Sequence, residues 1–472
     1  MNRTKLFVEN FYLFGIINML HKIIPIIILP ILTRLLPDPT DFGVFEIFNV
    51  ISGIVCVVAM MGFYSAIFRE YFEKEDQTYK YNVTSTAYYL ICSSSFCLCL
   101  LLFCFQGFLA SFFPTNINLI QITILLITVI FTATNLEYFR LLSRVLNQRK
   151  VILISGLLIA GVDKLLAITF ILLGLKFYGL IYALLATNII TLLYFWIINK
   201  KNVLSGKFDK KIAKALLTFG LPLLPVGVFI LLNQSVNRFL ILQYLDFSQL
   251  GIFSIGARVA FISNFIYIAF HTGWGYFAFS TMKDSDYKEL MSKLFSLLFA
   301  VCTAFYVILF LFKNIIFNIF FTGDYILGVS VFPYLLINPL ILIFISIMEN
   351  QMLVKKKSIF SPFIYGFGFI INVSLSFILI PKLGIIGAAI ATLSGFVVSF
   401  LLFFILVVNI KKLIIIDRNT LIMIFLFTAL FAFINYSDLN PFSIFTVLCY
   451  LSIITFFYYK QVIYFYRRWK EK

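Results

Sequence analysis

The chain has 472 residues, of which 62% are hydrophobic and only 12% charged, and its mean hydropathy is +1.03. Such a chain cannot fold as a water-soluble globule without exposing apolar surface on a large scale, so it reads as an integral membrane protein. The formal charge of +17 would suit a nucleic-acid partner, but the basic residues lie in short connections between apolar runs, so topology explains them and no nucleic acid is implied.

The apolar runs are mostly about 17–25 residues long, a length that suits helices crossing a hydrocarbon core about 30 Å thick rather than the strands of a barrel. Taken in order, fourteen spans are predicted: 11–36, 43–67, 83–106, 117–139, 151–173, 178–198, 215–242, 251–277, 291–312, 329–353, 359–380, 385–409, 420–436 and 441–459. The first residues resemble the charged start of a signal peptide. The apolar segment Phe11–Leu36 is too long for one and lacks a small-residue cleavage site, so it is read as a retained helix. The seven cysteines all fall within apolar spans without zinc-like histidine spacing and are read as packing residues. No metal site or cofactor is called for.

Lysine and arginine placement sets the orientation. The N-terminus and the loops after even-numbered spans, with Lys293 at the start of span nine, hold 29 of the 37, including Arg140, Arg144, Arg149 and Lys150, the Lys200–Lys214 group, Lys355–Lys357 and the Lys460–Lys472 tail. Both termini are therefore expected in the cytoplasm. On the opposite side the connections 107–121, 322–328 and 435–441 carry no lysine or arginine.

An internal repeat accompanies this pattern. Shifted by 208 positions, Asp38–Lys80 lies over Asp246–Lys288, with Asp38 on Asp246, Gly43 on Gly251, Ile47 on Ile255 and Asp76 on Asp284. A second echo, Gly179, Ala183, Ala186 and Thr187 against Gly384, Ala388, Ala391 and Thr392, runs at an offset of 205 and suits close helix packing. Six spans per repeat is an even number, so both copies enter from the same side and are related by an axis along the membrane normal. The fold class is thus an all-α polytopic membrane protein of about 14 transmembrane helices: a six-helix bundle in 1–210, a second in 211–410, and two additional helices with a basic cytoplasmic tail in 411–472.

Ionisable residues far from span ends are the informative ones, because each costs roughly 2.5–3.5 kcal/mol or more at the bilayer centre and usually faces a polar interior. In span one, Asn18 and Lys22 share a face with Pro25. In span two, Glu46, Asn49 and Gly53 run down one side. Span five carries Asp163 and Lys164, which point about 100° apart on a helix and need not pair with each other. An ion pair with a neighbouring helix and a place on an aqueous lumen are both open for Lys164. Asn233, Gln234, Asn237 and Arg238 form a polar face on span seven, and Ser254 and Arg258 lie one turn apart in span eight. Lys22, Lys164, Arg238 and Arg258 are therefore the candidates for an anion-binding cavity. Asn18, Glu46, Asp163, Asn233, Gln234, Asn237 and Ser254 are its polar or ion-coupling candidates. Arg34, Lys176, Lys313 and Lys382 lie near outer ends, where long side chains snorkel to the headgroups.

Pro25 and Pro30 are expected to interrupt span one, and Pro222 and Pro225 to interrupt span seven, its positional equivalent. Broken helices at matching positions of two halves point to a transporter's central site. The chain contains no Gly-x-x-x-x-Gly-Lys-Ser/Thr loop and no nucleophile–base constellation in a soluble region, which argues against an ATP-driven pump or an enzyme.

Several segments carry a family resemblance: Thr33-Arg34-Leu35-Leu36-Pro37 followed by Asp41-Phe42-Gly43-Val44-Phe45, Asn237-Arg238 with Leu250-Gly251-Ile252-Phe253-Ser254, and His271 to Phe277. Together they resemble the polysaccharide-exporter branch of the multidrug/oligosaccharidyl-lipid/polysaccharide flippase superfamily, especially its O-antigen and capsule repeat-unit flippases. The resemblance implies two bundles around a cationic cavity of alternating access in the bacterial inner membrane. It also implies a lipid-linked oligosaccharide, carried on undecaprenyl pyrophosphate, as substrate, membrane lipids as surroundings, and glycan polymerase and chain-length machinery as partners. Asn237-Arg238 stands where many relatives show an acid–arginine pair, which puts that acid's coupling role in doubt here. The alternatives are a cation or multidrug exporter of the related branch, a lipid-II-type flippase, and a glycan polymerase. A drug exporter calls for acids in its core, and a polymerase for a large outer loop.

Overall fold

The structure is a computed structural model that describes residues 24–268, 270, 274, 287–354, 360–410, 417–437 and 440–470. Among them every regular element is helical. The first half contains α1 (Ile24–Leu35), α2 (Pro39–Ala59), α3 (Phe63–Tyr71), α4 (Gln77–Cys104), α5 (Leu119–Val145), α6 (Arg149–Leu172) and α7 (Lys176–Leu204). Then come α8 (Lys210–Gly220), α9 (Leu224–Tyr244), α10 (Phe247–Ala260), α11 (Tyr287–Leu311) and α12 (Phe332–Met352). Finally there are α13 (Phe360–Leu383), α14 (Ile385–Phe404), α15 (Arg418–Ser437) and α16 (Pro441–Lys470).

Twelve helices among the described residues are long and apolar enough to cross a membrane. They correspond to predicted spans two to six and eight to fourteen, so the count of fourteen is not reached among the described residues. Most of predicted span one lies outside them, and its described part is the shorter apolar helix α1. Predicted span seven is split into α8 and α9 by a 3-10 turn at Leu221–Leu223, where Pro222 and Pro225 remove helix hydrogen bonds. Pro30 behaves differently, because α1 runs through it without a break. A helix within a membrane has no water to compete for the freed carbonyl, and a nearby hydroxyl or packing neighbour stabilises the continuous form. The carbonyl freed by Pro30 is that of Ile26, one turn earlier, and the Thr33 hydroxyl adds a bond within the same helix by donating to the Pro30 carbonyl at 3.1 Å.

The repeat is visible in local geometry. Asp38 caps α2 by accepting from the Thr40 N–H at 2.9 Å, and Asp246 accepts from the Gln249 N–H at 2.8 Å at the start of α10. The two helices meet backbone to backbone. A Cβ on Gly43 would lie 1.9 Å from the Phe247 carbonyl oxygen, and a Cβ on Gly251 would lie 1.9 Å from that of Pro39. Residues 39 and 247, like 43 and 251, are 208 apart, so the contact is reciprocal, as a local two-fold relation requires.

The same offset recurs in two helical hairpins. Gly179 packs against Ile171 at the α6–α7 hairpin, and Gly387 against Leu379 at the α13–α14 hairpin. Lys176 and Gly384, again 208 apart, both have positive φ, 47° and 60°. The structural register of the second echo is therefore 208, with Gly179 on Gly387, rather than the 205 expected from composition. Small residues are common enough in membrane helices to match at a neighbouring offset, whereas a close backbone approach fixes the register.

Packing divides the chain into two compact units, one comprising the residues up to Ser254 with Thr322–Tyr325, the other Ile255–Phe321 and the residues from Ile326 onward. The first has its core around Met60, Phe63, Val83, Tyr138, Phe139, Phe195 and Leu216. Tyr325 belongs to it because its hydroxyl donates to the carbonyls of Leu36 and Asp38, at 2.7 and 3.1 Å, and its ring meets Phe42 edge-on. Burial, with Asp41 and Asp38 nearby, pushes its phenol above the usual range and keeps the donor protonated. In the second unit Asp417, Thr420, Ser296 and Tyr458 form one hydrogen-bonded cluster that ties α15 and α16 to α11.

Candidate functional site

Glu46 occupies the third turn of α2 and is almost fully buried. An isolated carboxylate at that depth would be strongly destabilising, so its partner matters. The partner is Arg238 of α9, whose Nε donates to Glu46 Oε1 at 2.5 Å, with side-chain exposures of 20% for the arginine and 9% for the acid. The acid that Asn237 does not supply on α9 thus comes from α2. Asn237 itself is buried beside the pair in sequence, and Asn233 one turn earlier is half-buried. Asn49, one turn after Glu46, donates to the Phe45 carbonyl of its own helix at 3.0 Å.

The second predicted cluster also resolves into a pair. Lys164 Nζ lies 2.6 Å from Asp163 Oδ2, both side chains being about one-seventh exposed. Helical geometry points adjacent Cβ atoms apart, but the lysine stem is long enough to bend back to its neighbour. A π-helical turn, Leu158–Val162, immediately precedes them in α6. Such turns occur mostly as single bulges in α-helices, frequently at functional sites.

Ser254 is buried in α10, and its Oγ finds no hydrogen-bond partner among the described residues. Arg258, one turn on, is half-buried. Asn18 and Lys22 lie outside the described residues, as does the side chain of Gln234. Of the four basic residues assigned to outer ends, Arg34, Lys176 and Lys382 are exposed, in keeping with snorkelling. Lys313 is not. It is 8% exposed with its Nζ 4.4 Å from the centre of the Phe310 ring, so a cation–π contact holds it inward. Of the cysteines expected to pack inside, Cys97, Cys104 and Cys449 are exposed.

Sequence reasoning overlooked some polar groups. Glu137 on α5 pairs with Arg140 and accepts from the Tyr64 hydroxyl at 3.4 Å. Glu349, an acid legible in the sequence near the inner end of span ten, accepts from Tyr365 at 3.0 Å. On α7 the side chains of Thr187, Asn188 and Thr191 are buried, each with a polar atom that meets no partner among the described residues. The signal was present as a Thr-Asn-x-x-Thr run inside an apolar span, where uncharged polar residues are easily passed over.

Chemically, the Glu46–Arg238 pair can exchange partners. A guanidinium stays charged at any physiological pH and binds carboxylate or phosphate through the same planar fork, so an incoming phosphate oxygen competes with Glu46 on equal geometric terms.

A family model described as "Polysaccharide biosynthesis protein" matches residues 31–269. No curated protein matches the chain. Among solved structures, the lipid II flippase MurJ in an inward closed conformation aligns with a TM-score of 0.70 at 17% identity, over 96% of this chain and 100% of that one. An inward-facing multidrug resistance MATE family transporter of the MOP superfamily aligns with a TM-score of 0.62 at 17% identity, over 82% and 95%. A MATE protein in complex with MaL6 gives 0.60 at 15% identity, over 85% and 96%. At these identities the likeness is one of fold.

Proposed function

We propose, from the premise that the chain belongs to the family of polysaccharide biosynthesis proteins within the multidrug/oligosaccharidyl-lipid/polysaccharide flippase superfamily, that it translocates an oligosaccharide linked to undecaprenyl pyrophosphate. The cargo is an O-antigen or capsule repeat unit, and it moves from the cytoplasmic to the periplasmic leaflet of a bacterial inner membrane. Both termini lie in the cytoplasm. Residues 1–210 rock against 211–410, and α15 and α16 offer a surface for lipid or for the polymerase and chain-length machinery.

The observation that carries this reading is the Glu46–Arg238 pair, a largely buried cation towards the ends of predicted spans two and seven whose counter-charge is a neighbouring carboxylate. A pyrophosphate leaving the headgroup layer loses hydration, and an arginine supplies charge-assisted hydrogen bonds in its place. As phosphate takes over the guanidinium, the released Glu46 carboxylate takes up a proton or sodium ion, which links substrate binding to ion movement. Lys22 and Arg258 add positive charge along the path, Lys164 adds a cation whose partner Asp163 a phosphate would displace, and Asn233, Asn237 and Ser254 offer neutral hydrogen bonds to sugar hydroxyls. The deep ionisable residues lean basic, which favours an anionic cargo over a cationic drug.

Deleting the gene should leave lipid-linked repeat units on the cytoplasmic face, and the accumulating glycan distinguishes this substrate from lipid II. Arg258→Ala should lower glycan export about tenfold or more at equal membrane abundance, the loss expected when a hydrogen bond to a charged group worth about 1.5–3 kcal/mol is removed. Export at the wild-type rate would eliminate the anion role of Arg258.

A further inference from the structure

At the lysine-rich end of the first unit a cleft of about 420 Å³ opens between α3 and α8. Its walls carry Arg69 and Glu70 from α3, and Lys211, Lys214, Thr218 and Phe219 from α8. Three cations face one carboxylate, and that carboxylate already accepts a short hydrogen bond from the Tyr79 hydroxyl. The Arg69 guanidinium carbon lies 4.7 Å from the centre of the Phe219 ring, a cation–π contact that holds the charge at the cleft. Lys211 and Lys214 are three apart on α8, hence neighbours on one face, and both are exposed. Among the described residues neither forms an ion pair.

The cleft is a built feature. Asp209 caps α8 by accepting from the N–H groups of Lys211 and Ile212, at 2.7 and 3.3 Å. Its own N–H donates to Thr86 Oγ1 at 3.0 Å, and the Lys207 N–H donates to Asn82 Oδ1 at 2.8 Å, so the start of α8 is fixed to α4. At the other end Gly62 approaches Gly220 so closely that a Cβ would lie 2.1 Å from the Gly220 carbonyl oxygen. α8 is also amphipathic, with Ile212, Ala213 and Leu216 buried and its lysines outward. Phe68 on α3, Phe72 just after it, Leu204 at the end of α7 and Phe208 just before α8 are all exposed. Exposed apolar side chains on the segments flanking a short amphipathic helix that turns its lysines outward mark a surface lying at the membrane interface, not one facing bulk water.

We infer that this cleft binds the phosphate headgroup of an anionic membrane lipid, with the exposed aromatic and leucine side chains against its acyl chains. The α3–α8 side is the cytoplasmic leaflet under the topology proposed above. Placement at the interface selects a lipid over a soluble phosphate ester. The volume suits a phosphate with a small alcohol such as glycerol and is too small to enclose a chain of several sugars, so the occupant is a bulk phospholipid and not the cargo.

The test uses the full-length protein in phosphatidylcholine nanodiscs containing a minor fraction of phosphatidylglycerol, with retained lipid counted by native mass spectrometry and stability followed by thermal unfolding. Wild type should retain phosphatidylglycerol and show a higher unfolding midpoint than in phosphatidylcholine alone. K211Q should weaken retention about fivefold and the K211Q/K214Q pair about twenty-five-fold, corresponding to roughly 1 kcal/mol per basic residue at an anionic surface. K211R/K214R should restore it, and K200Q/K201Q, basic residues outside the cleft, should leave it unchanged. Equal loss in K200Q/K201Q, or full retention in K211Q/K214Q, would overturn the site. An equal midpoint rise from inorganic phosphate in pure phosphatidylcholine would reassign it to a soluble anion. Lipid retention is read without any glycan, so its failure leaves the export reading standing, and loss of that reading leaves the lipid result intact.

Discussion

At the entrance of α2, Asp38 caps the helix, Pro39 begins it and Gly43 admits a second backbone. At the entrance of α10, Asp246, Phe247 and Gly251 do the same, 208 positions later. Three residues beyond each glycine the copies part: α2 places Glu46 there and pairs it with Arg238, whereas α10 places Ser254, buried with an unpartnered hydroxyl among the described residues. The backbone contact is what duplication preserves, because it tolerates no side chain at either glycine. The side chains one turn deeper are free to differ, and there the two halves acquire different chemistry.

The largest expected effect breaks that comparison at Glu46. Removing one member of a buried ion pair leaves the other charge uncompensated, at a cost of about 3–5 kcal/mol. Glu46→Ala and Arg238→Ala should each lower the unfolding midpoint of the detergent-purified protein sharply, while the double variant should be less destabilised than the two losses added together. Ser254→Ala at the repeat-equivalent site should be nearly neutral, since it deletes a buried hydroxyl that has no partner to lose. Additive losses at Glu46 and Arg238 would show that the contact does not couple them.

The glycines come next. Gly43→Ala and Gly251→Ala each drive a methyl into a backbone carbonyl, which cannot rotate away as a side chain would, and overpacking of this kind costs about 1–3 kcal/mol or more. Reciprocity predicts nearly equal losses in thermal stability for the two variants. Gly161→Ala, where no atom lies within 4 Å, is the control and should not destabilise. A severe effect at one glycine and a mild one at the other would mean that the crossing is not the symmetric contact its geometry describes.

Much of the architecture was legible because it rests on one-dimensional signals. Apolar run length located twelve spans, and the Asp–Gly order found the repeat. Pairing was legible only in part. The faces carrying Glu46 and Arg238 follow from helical periodicity, but no local rule joins residues 192 positions apart. Lys164 misled in the opposite sense, since the angle between adjacent Cβ atoms says nothing about where a four-carbon stem ends. The clamp at Asn82, Thr86, Lys207 and Asp209 escaped notice because half of it is backbone N–H, which sequence does not display.

The smallest of these effects sharpens the comparison from outside the repeat. Tyr325 is fully buried and its single hydroxyl proton is shared between the carbonyls of Leu36 and Asp38, just where α1 hands over to α2. Tyr325→Phe keeps the edge-on ring contact with Phe42 and removes only the donor, so the Leu36 carbonyl loses this bond while that of Asp38 keeps the Asp41 N–H at 3.2 Å. The expected cost is about 1–2 kcal/mol, measured as a shift in the unfolding midpoint, with export little changed. Because the lost bonds anchor the Asp38 cap and touch neither glycine, the Gly43→Ala penalty should add to that of Tyr325→Phe. If the two penalties instead overlap, the tyrosine and the glycine hold the same joint, and the entrance of α2 is stabilised as one cooperative unit rather than by a cap and a crossing acting separately.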